Sequence, residues 1–254
     1  MTAPQPVPAS SSRGRLVLIA VVAVLVVVVA GGGYGVWYLF LRPAGPAAVG
    51  SQALAPLPSL AAATVPLPAG GLEGTWNVDA PIGSFADSTD SFVGYRVQEQ
   101  LASIGANTAV GRTPGVTGTL TIAGSKLTAV AITADLTALQ SDDSHRDGQL
   151  VRGGIETGTF PTATFALSSP IDLGATPTDG NEIDASATGQ LTLHGVTKTV
   201  QVALKARLSG SVIEVVGSLP IVFSDYQIQK PSSFSVLSIA DSGTMELQLF
   251  FTHA

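Results

Sequence analysis

The sequence predicts an all-β domain of about eight antiparallel strands with one short helix, preceded by a single transmembrane helix and a Pro/Ala-rich linker. Three observations predict this order. An uncharged apolar run occupies residues 16–41, a proline-rich segment follows it, and period-two alternation of apolar residues dominates residues 73–254. We therefore divide the chain into a short tail (1–15), a transmembrane helix (16–41), a linker (42–72) and a β-domain (73–254).

The predicted transmembrane helix, Leu16–Leu41, contains 26 residues and no charge. A helix rises about 1.5 Å per residue, so this run is long enough for a hydrocarbon core of about 30 Å. Arg13 and Arg15 precede it and Arg42 follows, so the positive-inside rule places the N-terminus in the cytoplasm and the β-domain outside. The alternative is a cleaved secretory signal, whose apolar region is typically only about 7–15 residues. We interpret the run as a single-pass anchor in the cell membrane.

The linker is rich in proline and alanine. From Pro43 to Leu72 the chain has six prolines and no charged residue. This spacing of prolines favours extended, polyproline-like conformations. At about 3.1 Å per residue the segment would reach roughly 90 Å, so we expect a flexible stalk that holds the β-domain away from the membrane.

The β-domain is acidic and contains no cysteine. It carries all 18 acidic residues of the chain but only nine of the 12 lysines and arginines, which gives a formal charge of −9. An acidic surface repels phosphate backbones and anionic lipid headgroups, so we expect no nucleic-acid partner and no docking through a basic patch. The lack of cysteine excludes a Cys nucleophile and a thiolate metal site.

Strands account for most of the β-domain. In KTVQVALKARL (198–208) and MELQLFF (245–251) apolar and polar residues alternate, as in half-buried strands. Further strand candidates, separated by turn sequences, are Thr75–Asp79, Ser91–Glu99, Val116–Ile122, Leu127–Leu136, Ala163–Ser168, Ile183–His194 and Ser211–Phe223. The pattern suits a sandwich or a closed barrel, and strands that are apolar on both faces favour a barrel with an apolar lumen. The segment SDDSHRDGQLVRGG predicts the short helix, with Ser141 or Asp142 as N-cap and Gly153 or Gly154 as its stop.

Four motifs follow one another along the β-domain: GTWNVD (74–79), SFVGYRVQE (91–99), RDGQL followed by FPTATF (146–165), and GQLTLHGVTKTVQV (189–202). Together they resemble the YceI family of lipocalin-like bacterial envelope proteins. The resemblance implies an extended antiparallel β-barrel that holds a polyisoprenoid or quinone-like chain in its apolar lumen. The family usually has histidine where Glu99 and Gln149 stand, so these two residues are candidate contacts for the polar head of the ligand.

Other side chains are candidates for the lumen or for the strand corners. Six on the predicted strands could line the lumen or form an ordinary core: Trp76, Phe92, Tyr95, Val97, Phe165 and Phe223. His194 and Lys198 lie at a corner between two strands, and no nucleophile elbow or adjacent acid–base pair accompanies them. We therefore interpret His194 as a structural hydrogen-bonding residue and Lys198 as solvated. Arg146 and Asp147 read as a local ion pair that holds the loop to the barrel.

These features predict a binding protein and not an enzyme. No two histidines show the spacing of metal ligands, so we expect no metal, no cofactor and no catalytic residue. The predicted function is an extracytoplasmic protein that sequesters or carries a long-chain isoprenoid or quinone-like lipid. One alternative is a structural or adhesive envelope domain with a filled core and no ligand. Another is a hydrolase that uses His145 or His194 with a carboxylate.

Overall fold

A computed structural model of the chain describes residues 22–23, 26–29, 32–33, 45–49, 71–79, 82–102, 105–174, 177–231 and 236–254. The chain divides into two compact units, Met1–Ala44 and Gly45–Ala254. The described residues of the first unit between positions 22 and 33 are helical. Among the described residues, no helix combines the length and the apolar character needed to cross a membrane. Most of the predicted transmembrane helix 16–41 and of the linker 42–72 lies outside the described residues, so both stay predictions.

The second unit is all-β with one short helix, as the sequence predicts. The strands, numbered along the chain, are β1 Gly74–Val78, β2 Phe92–Leu101, β3 Gly105–Thr113, β4 Val116–Ala123, β5 Lys126–Asp135, β6 Gln140–Ser141, β7 Thr162–Leu167, β8 Ile171–Asp172, β9 Glu182–Leu193, β10 Val196–Ser209, β11 Val212–Val222 and β12 Val236–His253. The helix spans Ser144–Leu150, and single 3₁₀ turns occupy Leu136–Ala138 and Phe223–Tyr226.

Eight strands close into an antiparallel ring in the order β1, β4, β5, β7, β9, β10, β11, β12. The ring closes because β12 also pairs with β1, where Val78 lies opposite Phe251. Strands β2, β3 and β6 extend the sheet from β12, and β8 adds to β5. With 18 residues, β12 is long enough to pair with β11, β1 and β2. The prediction of an eight-stranded antiparallel barrel is confirmed.

Two apolar clusters occupy the interior of this ring. One gathers around Trp76 and Phe251, both almost completely buried. The other gathers around Leu191 and Tyr226. Full burial of a large apolar side chain contributes about 1.5–3 kcal/mol, so a domain of this size is stabilised by its core without disulfides.

The outer face of β11 and β12 is also buried, because the segment 82–90 covers it. Phe250 packs there with Ile82 and Val212. Its amide donates a hydrogen bond to Ser91 Oγ at 3.0 Å. This second layer explains why strands such as β11 are apolar on both faces.

A two-residue turn, His194–Gly195, joins β9 to β10 within the motif GQLTLHGVTKTVQV. Leu193 pairs with Val196, and the two turn residues have positive φ, 52° at His194 and 72° at Gly195. Two successive positive φ values define the type I′ hairpin turn, which favours glycine at its second position. A Cβ at Gly195 would also lie 2.8 Å from Cε1 of Phe160. The predicted strand corner is therefore a tight hairpin.

The short helix begins one or two residues later than the sequence predicts, since the predicted N-cap is Ser141 or Asp142. Asp143 is the N-cap, in extended conformation, and its carboxylate accepts from the His145 amide at 2.9 Å. Ser141 and Asp142 have other partners: Ser141 Oγ donates to the Asp143 carbonyl, and Asp142 accepts from the Val110 amide. The N-cap prediction was therefore wrong, and so was the predicted stop, because the helix ends at Leu150.

Candidate ligand-binding site

An apolar cavity of about 150 Å³ lies inside the ring of eight strands. Seven of the eight ring strands contribute to its wall, and Leu72, which precedes the short β1, takes the place of the eighth. Among the described residues, Thr164 and Arg207 are the only polar or charged members of the wall. Its larger apolar members include Leu120, Ile132, Phe165, Leu191, Leu204 and Leu247. Such a wall has almost nothing to offer a polar molecule and suits an apolar one.

Close packing across the strands shapes the cavity. The ring of Phe165 lies over Gly189 of the neighbouring strand, and a Cβ at residue 189 would be only 2.4 Å from Cζ of Phe165. The Leu204 side chain lies over Gly217 in the same way, at 2.5 Å. The absence of a side chain at these two glycines therefore leaves room for Phe165 and Leu204. The cavity is the space that remains beside these two side chains.

Of the six predicted lumen residues, Phe165 lines the cavity. Trp76 is completely buried in the inner cluster, where its Nε1 donates to the Leu72 carbonyl at 3.0 Å, and it does not reach the cavity wall. Phe92 lies on the opposite face of β2 from Val93, which does line the cavity. The guanidinium of Arg112 stacks on the Phe92 ring, 4.1 Å from its centroid. The structure thus places Phe92 outside the lumen, beneath the covering segments.

The other three lie beyond the cavity, around inward-facing glycines. Tyr95 packs over Gly111, where a Cβ would be 2.4 Å from Cε1 of the tyrosine ring. Val97 and Phe223 meet around Gly243, at 2.8 Å and 3.4 Å from the position of its Cβ. None of these three side chains is part of the cavity wall.

A buried polar cluster lies next to Tyr95. Glu99 is buried and accepts hydrogen bonds from Asn107 Nδ2 and Arg146 Nη2, each at 2.7 Å. Arg146 also pairs with Asp142. The Tyr95 hydroxyl has no hydrogen-bond partner among the described residues. Burial raises the pKa of this hydroxyl well above its usual range, so it stays protonated.

The two candidate head-group residues do not come together. Gln149 is exposed on the short helix, whereas Glu99 is buried behind Arg146. The predicted local pairing of Arg146 with Asp147 is wrong, since the Asp147 carboxylate accepts instead from the Ser141 amide at 2.7 Å. Sequence reasoning missed the Glu99–Arg146 pair because the two residues are 47 positions apart.

His194 and Lys198 occupy the hairpin corner. The His194 side chain is 7% exposed, and its Nδ1 donates to the Tyr226 carbonyl at 2.9 Å. Its Nε2 lies 2.9 Å from the Glu156 carboxylate and donates to it when that nitrogen carries a hydrogen. Lys198 is partly exposed and pairs with Asp225 at 3.0 Å. These contacts join the hairpin to two neighbouring loops.

No group of three His, Asp or Glu side chains within the described ranges is arranged to hold a metal ion. His145 is exposed on the short helix. The nearest carboxylate to His194 is Glu156, whose side chain is 41% exposed. The cavity wall therefore offers a ligand mainly apolar contacts.

A closed ring of eight antiparallel strands around an apolar interior defines the class of small β-barrels whose interior is either filled by side chains or holds one small ligand. Within this class, the family model described as "YceI-like domain" matches residues 86–251. The chain belongs to the YceI-like domain family, which confirms the resemblance found in the four motifs.

The solved structures that are similar to the chain include two with a TM-score above 0.5. A protein from Saccharophagus degradans, described as a polyisoprenoid binding domain implicated in plant cell wall breakdown, is 21% identical, and the match covers 70% of this chain and 98% of that one with a TM-score of 0.54. BcnA from Burkholderia cenocepacia is 23% identical, and the match covers 68% and 98% of the two chains with a TM-score of 0.51. Both likenesses support the fold. No curated protein matches the chain.

Proposed function

We propose that this protein is a membrane-anchored, extracytoplasmic lipid-binding protein that sequesters or carries a long-chain isoprenoid or quinone-like lipid. The observation that carries the proposal is the cavity inside the ring, whose wall is apolar apart from Thr164 and Arg207 among the described residues. The role is binding rather than catalysis. The membrane anchor rests on the uncharged run Leu16–Leu41.

The driving force is the removal of hydrocarbon from water. Each CH₂ group transferred into an apolar site contributes about 0.8 kcal/mol, so a chain of ten carbons gains several kcal/mol even after its ordering is subtracted. The polar end of the lipid would lie toward Tyr95, whose buried hydroxyl has no partner among the described residues. The description of the Saccharophagus degradans domain as polyisoprenoid binding supports the choice of lipid.

The wall also offers a route of access. Four cavity-lining residues are partly exposed: Leu127 on β5, Ile171 on β8, Leu173 after β8, and Ile183 on β9. Apolar surface therefore continues from the cavity to the outside. A rim of this kind lets an apolar chain leave a bilayer or an acceptor without crossing a polar barrier.

A second candidate function is a structural or adhesive envelope domain with a filled core. The size of the cavity favours it. A cavity of about 150 Å³ lined by Leu, Ile and Phe accommodates one benzene molecule in an engineered lysozyme. A long chain would therefore require side chains such as Phe165 to move.

Extraction of the purified full-length protein with organic solvent distinguishes the two functions. Mass spectrometry of the extract should find one long-chain lipid per protein molecule. A matched pair of variants on β9 tests the site: Ala185→Trp places a ring in the cavity, whereas Ser186→Trp places it on the exposed face. We expect the lipid to be lost from the first variant and kept by the second. An extract without lipid from the unsubstituted protein, or equal lipid in both variants, would favour the filled core.

A further inference from the structure

Five residues of the linker, Gly45–Val49, lie on the outer face of β2, β3 and β12; we refer to them as the strap. Three side chains of the barrel bind the backbone of the strap. Arg96 donates to the Pro46 carbonyl, Arg112 Nη2 donates to the Ala47 carbonyl at 2.8 Å, and the Val49 amide donates to Glu246 Oε2 at 3.3 Å. Side chains on three strands thus form hydrogen bonds with two carbonyls and one amide within four residues of the strap.

The side chains that bind the strap also form an ion pair network with one another, which is buried with the strap in place. Glu246 is 1% exposed, although it lies on the outer face of β12. It accepts from Arg96 Nε at 2.9 Å and from Arg112 Nη2 at 2.7 Å. Buried charges are tolerated only when their remaining hydrogen-bonding positions have partners. The strap carbonyls supply acceptors for the guanidinium hydrogens that Glu246 does not use.

The sequence of the strap suits this backbone recognition. Proline at position 46 has no amide hydrogen, so it brings no unpaired donor to the two arginines. Its fixed φ also favours an extended chain, which lowers the entropy lost on docking. Gly45 approaches the barrel closely: a Cβ there would lie 3.2 Å from Cγ2 of the buried Val110.

We propose that the outer face formed by Arg96, Arg112 and Glu246 is a recognition surface for the strap, and that docking of the strap sets the length of free chain that precedes the barrel. With the strap docked, the spacer between the predicted transmembrane helix and the folded unit is residues 42–44. With the strap released, the spacer is residues 42–72. The proposal does not depend on which ligand, if any, occupies the cavity.

The two states differ greatly in reach. A spacer of three residues extends about 10 Å, whereas the undocked linker extends roughly 90 Å at about 3.1 Å per residue. A docked strap therefore leaves only a short free chain ahead of the folded unit. A released strap leaves a long one. The strap is a conformational device whose position decides the working range of the domain.

The test uses the full chain in detergent. The sequence contains no cysteine, so Ala48→Cys introduces a single thiol at an exposed position of the strap, and a nitroxide attached there reports docking by electron paramagnetic resonance. Two further changes weaken docking. Val49→Pro removes the amide that binds Glu246, with Val49→Ala as the control that keeps it. Arg96→Gln removes the donor to Pro46 and leaves Arg112 paired with Glu246.

We expect an immobilised nitroxide in the otherwise unsubstituted chain and in the Val49→Ala variant. Each weakening change should shift the ratio of docked to free strap about tenfold, because each removes a charge-assisted hydrogen bond, and the combination of both should give a mobile spectrum. Thermal melting confirms that each variant is folded. A mobile nitroxide in the unsubstituted chain, or an immobilised one in the combined variant, overturns the proposal. Lipid content is measured separately, so failure here leaves the proposed ligand unaffected.

Discussion

Replacing His194 by alanine should destabilise the barrel by about 3 kcal/mol and leave ligand binding by the folded protein unchanged. The Tyr226 carbonyl would lose the donor that now lies 2.9 Å away, which costs about 1–3 kcal/mol at a buried site. The contact with Glu156 contributes at most about 1 kcal/mol, because that side chain is 41% exposed. The φ of 52° at residue 194 adds at most about 1 kcal/mol, because histidine already bears most of the strain that alanine would have there.

Thermal melting followed by circular dichroism measures this loss. For a domain of this size, 1 kcal/mol corresponds to about 2–4 °C, so the alanine variant should melt roughly 6–12 °C below the unsubstituted protein. His194→Asn is the matched control. Asparagine tolerates positive φ and is favoured before glycine in a type I′ turn, so it removes the hydrogen bonds but not the turn, and it should lose about 2 kcal/mol.

Lipid content per folded molecule completes the experiment. Solvent extraction of both variants should recover the same amount of lipid as from the unsubstituted protein, because His194 does not line the cavity. An alanine variant that melts normally but has lost its lipid would show that the corner belongs to the ligand site. Equal melting of the alanine and asparagine variants would contradict the assigned cost of the turn.

Three further predictions concern the cavity, the anchor and a buried carboxylate. Phe165→Ala should weaken retention of a long-chain lipid, because it removes an aromatic part of the wall; undiminished lipid content would contradict this. Full-length protein should stay with membranes through high-salt and alkaline washing, and recovery of a soluble form that begins near Gly45 would instead indicate a cleaved signal. Asp90→Asn should raise the melting temperature at pH 7, because burial raises the pKa of Asp90 and one of its carboxylate oxygens has no partner among the described residues. A carboxyl group whose pKa is raised in the folded state contributes stability at low pH, and that contribution is lost as the pH rises through the folded-state pKa. The advantage of the variant should therefore shrink as the pH is lowered, and a constant advantage would refute this cause.

Much of the barrel could be predicted because alternation survives where only one face is buried. Strand β10, with its exposed Gln201, is an example. Strand β3 was missed because GANTAVGRT combines two glycines, an asparagine and small side chains, which weaken the pattern of a strand. Its Gly111 is nevertheless required where Tyr95 packs against it. A residue chosen for its close neighbour across the sheet leaves no periodic signal along the chain.

The ligand site was only partly predictable, because alternation does not reveal which face is the inner one when both are covered. Phe92 looks like a lumen residue, yet it lies on the outer face beneath Arg112. Glu246 reads as a solvated residue of an alternating strand, yet it is 1% exposed. The outer covering comes from segments distant in sequence, 45–49 and 82–90. The alternation of residues along one strand does not reveal contacts between residues that are more than 150 positions apart.

The position of β12 has a consequence for how the protein is made. The ring is completed only when β12, the last strand along the chain, pairs with β1, which lies about 175 residues earlier. Until then, β1 and β11 present open edges that invite pairing with other chains. Closure of such distant partners is slow, since the chain must search a large loop before the contact forms. Before β12 pairs with β1, the folding domain therefore passes through an open sheet whose edge strands can pair with those of another chain.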